Sequence, residues 1–201
     1  MGGSLTDGQR LAWDDIITTA VKVRDDLMDI GIAAYGGSIC RSEDTCGDID
    51  MIFTIEEQKG TPEYEDRLNQ FNEWCEKHEI TKNRQVRRGL INDIQVDIWH
   101  CDYDVWPAAA NFVAGSAFFN AALRSLAKSK GWKLSQNGLF DENGNNMVAE
   151  RKWQEREALF YSNCDLIETD KIIFDLLGIR YVPTIFRSAK SFGEARAKLR
   201  G

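Results

Sequence analysis

A mixed α/β (α+β) fold is predicted: a mixed β-sheet with flanking helices in the first half of the chain, then a mainly helical second half with a small β-hairpin. Three patterns predict it. The stretches AYGGSICRSEDTCGDIDMIFT and DIQVDIWH show the apolar alternation of short strands. Apolar residues recur at helical spacing in the segments that begin at Trp13 and Pro62. After Trp106-Pro107 the helical period dominates.

The elements follow in order. Trp13, Ile16, Ile17, Ala20 and Val21, continued by Leu27 and Met28, form one face of a first helix ending near Gly31. Strands are expected over 32–35 and 49–55. Thr61 caps a second helix with Pro62 at its first position, and Tyr64, Leu68, Phe71, Trp74 and Cys75 make its apolar face. Segments 81–88 and 91–99 read as a strand pair around Gly89. Helices are expected over 108–114 and 116–130, separated by Gly115-Ser116, with Ser116 as cap and Gly131 as stop. Segments 132–140 and 147–148, joined by Asp141-Glu142-Asn143-Gly144, read as a hairpin. Helices over 153–160 and 169–177 follow, the last stopped by Gly178. A boundary near Asp104 divides the chain into 1–104 and 105–201.

A chain of 201 residues holds one domain or two small ones. No apolar run approaches the ~18 residues of a membrane span, and the N-terminus lacks the basic start and apolar stretch of a signal peptide. The five cysteines are irregularly spaced, forming neither a disulfide framework nor a zinc pattern. Free thiols in a cytoplasmic, reducing compartment are expected, with a Cys40–Cys46 pair as the alternative. The net charge of −7 argues against nucleic-acid binding, but its distribution reverses that reading. No acidic residue occurs from Val105 to Phe140, where Arg124, Lys128, Lys130 and Lys133 stand. Lys82, Arg84, Arg87 and Arg88 form a second basic cluster. Arg180, Arg187, Lys190, Arg196, Lys198 and Arg200 form a third.

Asp48 and Asp50 are two apart, so on a strand both side chains project from one face. Asp97 lies within Ile94-Gln95-Val96-Asp97-Ile98-Trp99, an otherwise buried strand. Three converging carboxylates repel one another unless cations bind between them. Such hard oxygen ligands suit Mg²⁺, with Mn²⁺ as a substitute. Two ions held there stabilise the attacking and leaving oxygens of a phosphoryl transfer. The turn Gly36-Gly37-Ser38-x-x-Arg41 adds backbone N–H groups, a hydroxyl and a guanidinium suited to a triphosphate. Asp-x-Asp and Gly-Gly-Ser are each common in ordinary turns; their order, strand, turn, Asp-x-Asp, third Asp, points to metal-dependent nucleotidyl transfer.

Further motifs give a resemblance. Gly37-Ser38-x-x-Arg41 followed by Gly47-Asp48-Ile49-Asp50 resembles the palm motif of the family X DNA polymerases, the polymerase beta group, though the wider nucleotidyltransferase superfamily shares it. Phe112-Val113-Ala114-Gly115-Ser116-x-x-Phe119-Asn120-x-x-x-Arg124 and Gly131-Trp132-x-Leu134 resemble the family's later segments. Thr169-Asp170-Lys171-x-Ile173-Phe174-Asp175-x-Leu177-Gly178-x-x-Tyr181-x-x-Pro183 with Arg187 resembles its closing thumb motif. The resemblance implies a palm over 1–104, a thumb over 105–201, and a reduced form without the lyase and fingers domains. It implies a monomer that transfers dNMP from dNTP to a primer 3′-OH on primer-template or gapped DNA, in gap-filling repair. Template-independent nucleotidyl transfer is the alternative.

By the same resemblance, Asp48 and Asp50 hold both ions and Asp97 the second. Gly37, Ser38 and Arg41 take the β- and γ-phosphates. Phe112, Val113, Gly115 and Ser116 form the nucleotide-binding segment, the first two excluding a 2′-OH. Asn120 meets the minor-groove edge of the incoming base, Arg124 the template strand, and Lys128 and Lys133 DNA phosphates. Four positions depart from the family: Phe112 replaces Tyr, Val113 an aromatic, Ala117 an Asp, and Gln95 an Arg. A looser sugar and base pocket follows. Phe119, Trp74, Trp132 and Trp153 are expected in the core, and His78 and His100 carry no expected role.

Overall fold

The computed structural model describes residues 10–83, 85–149 and 169–200. The chain divides into two compact units, residues 1–39 with 43–103, and residues 40–42 with 104–201. The helix expected over 153–160, with Trp153, lies outside the described residues, as does Arg84.

In the first unit, α1 (Trp13–Met28) buries Ile16, Ala20, Val23 and Leu27, the spacing that sends side chains to one face. Strands β2 (Ile32–Tyr35), β4 (Ile49–Thr54), β5 (Thr81–Asn83), β6 (Val86–Ile91) and β7 (Ile94–His100) form a five-stranded mixed sheet in the order β2-β4-β7-β6-β5. Only β4 and β7 pair in parallel. A separate two-stranded ladder joins β1 (Leu11–Ala12) to β3 (Thr45–Cys46). Helix α3 (Pro62–Lys77) starts as the sequence predicts, the Thr61 hydroxyl accepting from the Tyr64 N–H. The strand period sorts the sheet: Ile49, Met51, Phe53, Ile94, Val96 and Ile98 join the helices in one core. Phe53 stacks on Phe71 of α3 at 4.3 Å, and His100 packs against both rings. Burial pushes the His100 imidazole down to about 4.

The strand pair expected around Gly89 is corrected. Gly89 sits inside β6, where an added Cβ would meet Ile80 at 2.9 Å. The turn is Asn92-Asp93, both residues at positive φ (52° and 60°), the two-residue geometry that matches strand twist. Asn and Asp tolerate that conformation without being glycine, so the signal was there but weaker than Gly.

The second unit contains α4 (Trp106–Ala114), α5 (Ala117–Ser129), α6 (Lys171–Leu177) and α7 (Phe192–Lys198). Its hairpin pairs β8 (Lys133–Ser135) with β9 (Gly138–Phe140) through Gln136-Asn137. The segment expected as one strand, 132–140, is therefore two, and the expected turn folds the chain back a second time: Phe140 bridges Asn146 antiparallel, and the Met147 N–H donates to the Leu139 carbonyl at 2.9 Å. Asp141-Glu142-Asn143-Gly144 lies beyond β9, in a loop where the Asp141 carboxylate accepts N–H bonds from Asn143 and Asn145. Gly178 ends α6 in the left-handed conformation. At the centre, fully buried Arg187 forks onto fully buried Asp170, donates to the Val182 carbonyl at 2.7 Å, and lies over the Phe119, Phe174 and Tyr181 rings. Asn111 donates to the same Asp170 carboxylate. Phe119 and Trp74 are buried as expected; Trp132 is only half-buried, its indole N–H donating to exposed Glu142. Among the described residues, no helix is long and apolar enough to cross a membrane, and Cys40, Cys46, Cys75 and Cys101 are free thiols.

Candidate active site

The sheet face turned away from the core carries the acidic residues. Asp50 on β4 lies opposite Asp97 on β7 in the parallel register, so the two side chains share that face. Asp48, two residues before Asp50, joins them. One carboxylate oxygen from each of the three lies within 4.8 Å of the others. Asp97 is 3% exposed, whereas Asp48 and Asp50 are half-buried. At that separation each like-charge pair costs roughly 3 kcal/mol for an effective dielectric of about 20.

Neighbours on the same face offset part of this repulsion. Gln95, Asp97 and Trp99 alternate along β7, so all three point to the acidic side. The Gln95 amide donates to Asp48 and to Asp97, each at 3.3 Å, and the Trp99 indole donates to Asp50 at 3.4 Å. Arg88 on β6, directly opposite Asp97, forks onto its carboxylate, with Nε to Oδ1 at 2.6 Å and Nη2 on Oδ2. The hydrogen bond to Asp97 holds the Arg88 guanidinium pKa above its usual value.

The glycine turn is built against this cluster. The Gly36 N–H donates to the Asp50 carbonyl at 2.8 Å. Gly37 opens the short helix α2 (Gly37–Cys40) at φ 54°, and a Cβ there would lie 2.1 Å from the Asp50 carboxylate. Only glycine meets both demands. Ser38 is buried, and it hydrogen-bonds the buried Cys46 thiol, whose pKa burial pushes up. As a donor set, three clustered carboxylates fit hard divalent cations such as Mg²⁺ or Mn²⁺.

In the second unit the Arg41 guanidinium donates to the Ala114 carbonyl at the end of α4. Phe112 is half-buried and Val113 buried on that helix. Ser116 caps α5, accepting from the Phe119 N–H, and its hydroxyl donates to the Arg187 carbonyl. Asn120 is 8% exposed; its amide donates to the Phe112 carbonyl at 2.7 Å, while its buried Oδ1 has no hydrogen-bond partner. A Cβ on Gly115 would lie 2.4 Å from that oxygen. Arg124, Lys128 and Lys133 are exposed on α5 and β8, and Arg124 donates to the Asn120 carbonyl.

Two of the basic clusters are corrected. Strand alternation sends Arg87 to the core face, where it bonds Asn72 and lies 4.8 Å over Phe71, and sends Arg88 to Asp97. Arg187 in the third cluster is interior, not a solvent-facing cation. The structure adds Arg88, Gln95 and Trp99 to the site. Spacing about Asp97 marks the last two, whereas Arg88 needs the β6–β7 register.

Residues 109–188 match the DNA polymerase beta thumb family. No curated protein matches the chain in sequence. The fold is similar to the crystal structure of Leishmania infantum polymerase beta in a ternary P/T complex, with TM-score 0.65, 20% identity, and 90% of this chain and 77% of that chain covered. The ternary gap complex of the same protein gives TM-score 0.63 and 20% identity over 90% of this chain and 71% of that chain. The chain thus carries a polymerase beta thumb sequence over residues 109–188 and a fold similar to that of polymerase beta.

Proposed function

We propose that the chain is a DNA-directed DNA polymerase that adds dNMP from dNTP to a primer 3′-OH and releases pyrophosphate. The observation that carries this reading is the convergence of Asp48, Asp50 and Asp97 on one sheet face, in a chain that also bears the thumb sequence. In this reading residues 1–104 are the palm and 105–201 the thumb. Asp48, Asp50 and Asp97 would hold two Mg²⁺ ions, or Mn²⁺ in their place. Bound there, the ions supply a lowered pKa at the primer hydroxyl and neutralise charge growing on the leaving pyrophosphate.

The chain's own residues do the rest. Gln95 and Trp99 orient the aspartates through the hydrogen bonds described. The Gly37 turn, Ser38 and Arg41 bind the β- and γ-phosphates, so that the α-phosphorus is presented to the 3′-OH. The bond from the α-phosphorus to the bridging oxygen breaks as the new ester forms. Phe112 and Val113, with Gly115 and Ser116, shape the sugar site; Asn120 meets the base edge, and Arg124 the template. Lys128 and Lys133 contact DNA phosphates, so affinity falls steeply with salt. The proposed setting is gap filling in repair, by a monomer acting on gapped DNA.

Primer extension with Mg²⁺ and single dNTPs, on a gapped duplex and on a single strand, tests this. Addition of only the complementary nucleotide at the gap is expected, and Asp97→Asn abolishes it without unfolding the protein. Untemplated addition to the single strand makes the protein a template-independent transferase instead. Incorporation that persists in Asp97→Asn rejects the assignment of the aspartates.

A further inference from the structure

The acidic face holds a cation of its own. Arg88 projects from β6 across the ladder onto Asp97, and the two side chains are 15% and 4% exposed. Its fork engages both oxygens of that carboxylate. Oδ1 also accepts from Gln95, so two donors already occupy the two lone pairs of that atom. Asp97 can offer Oδ1 to another cation only after one of those donors leaves. Arg88 is the costly one to keep, because a guanidinium next to a divalent ion repels it.

We propose that Arg88 is a positioning residue that stands in for a cation at Asp97 and competes with the divalent ion for it, so setting how tightly that ion binds. The inference rests on the reading of Asp48, Asp50 and Asp97 as metal ligands. In the metal-free protein Arg88 relieves the carboxylate repulsion and holds Asp97 in the sheet. When an ion enters, its two charges are shared among three carboxylates, whereas the single charge of Arg88 serves mainly one, and the guanidinium swings aside. The four rotatable bonds of the arginine side chain allow this without moving β6. A purely structural cross-strand pair makes the opposite prediction: removing Arg88 loosens the strand pairing and weakens whatever Asp97 binds.

The direction of the change in ion affinity therefore separates the two. Mn²⁺ is titrated into the full chain without DNA or nucleotide, and free Mn²⁺ is read by electron paramagnetic resonance. The proteins are wild type, Arg88→Met, Arg88→Lys and Asp97→Asn. Arg88→Met keeps the apolar stem and removes the charge; it binds Mn²⁺ about tenfold tighter at the Asp97-dependent site. Arg88→Lys keeps a charge without the fork and falls between wild type and Arg88→Met. Unchanged or weaker Mn²⁺ binding in Arg88→Met overturns the proposal. If that variant does not fold, Arg88→Lys binding no tighter than wild type overturns it. Full Mn²⁺ binding in Asp97→Asn removes the metal-ligand reading itself, and the role of Arg88 with it.

Discussion

Replacing Gly37 with Ala tests how the turn is tied to the acidic cluster. The new Cβ would sit 2.1 Å from the Asp50 carboxylate oxygen, where contacts below about 3.4 Å are already tight. The oxygen must therefore retreat by about 1.3 Å, the difference between those two distances. Alanine at φ 54° adds a backbone cost of roughly 1–2 kcal/mol. A shift of about 1 Å in a group that must be aligned lowers turnover by roughly 100-fold. Single-nucleotide incorporation at saturating Mg²⁺ measures that loss, and denaturant unfolding measures the backbone cost. Gly47 is the control from the same motif: a Cβ there meets only Arg10, at 4.0 Å, so Gly47→Ala is expected to be silent. Gly37→Ala with wild-type turnover refutes the coupling between turn and carboxylate.

Two further outcomes concern stability. Asp170→Asn leaves Arg187 charged in a fully buried ring cage and is expected to cost about 3–5 kcal/mol, read by denaturant unfolding with the buried Trp106 as reporter; a loss under about 1 kcal/mol counts against the buried pair. His100 has its pKa pushed below the unfolded value of about 6.5, so the unfolded chain takes up the proton first. Its contribution is present above that value and is lost as pH falls toward about 4, a change of about 3 kcal/mol. His100→Gln flattens that part of the stability profile relative to wild type, and parallel profiles reject the assignment.

Much of the fold was legible because its signals are local. The Thr61-Pro62 start of α3, the Ser116 cap of α5 and the Gly178 stop of α6 each depend on residues within one helical turn. The turns at Asn92-Asp93 and Gln136-Asn137 were not legible because those residues carry weaker turn signals than glycine, whereas Asp141-Glu142-Asn143-Gly144 does reverse the chain as expected. The acidic triad was legible for a similar reason. Asp-x-Asp fixes two carboxylates on one face by the strand period alone, and a charge inside an apolar strand marks the third.

Sequence alone thus determined which residues are acidic, apolar, capping or turn-forming, and hence the elements and the three aspartates. Tertiary structure decided which strand lies beside which. The parallel register of β4 and β7 sets Asp50 against Asp97, and the antiparallel register of β6 and β7 sets Arg88 against the same carboxylate. A one-residue slip would have sent Arg87 there instead, because neighbouring side chains on a strand point to opposite faces. The burial of Arg187 on Asp170 likewise depended on packing between segments 17 residues apart, beyond the reach of any local period. Charge is written in the sequence; whether a charge meets solvent, a carboxylate or a ring is settled only when distant segments close around it.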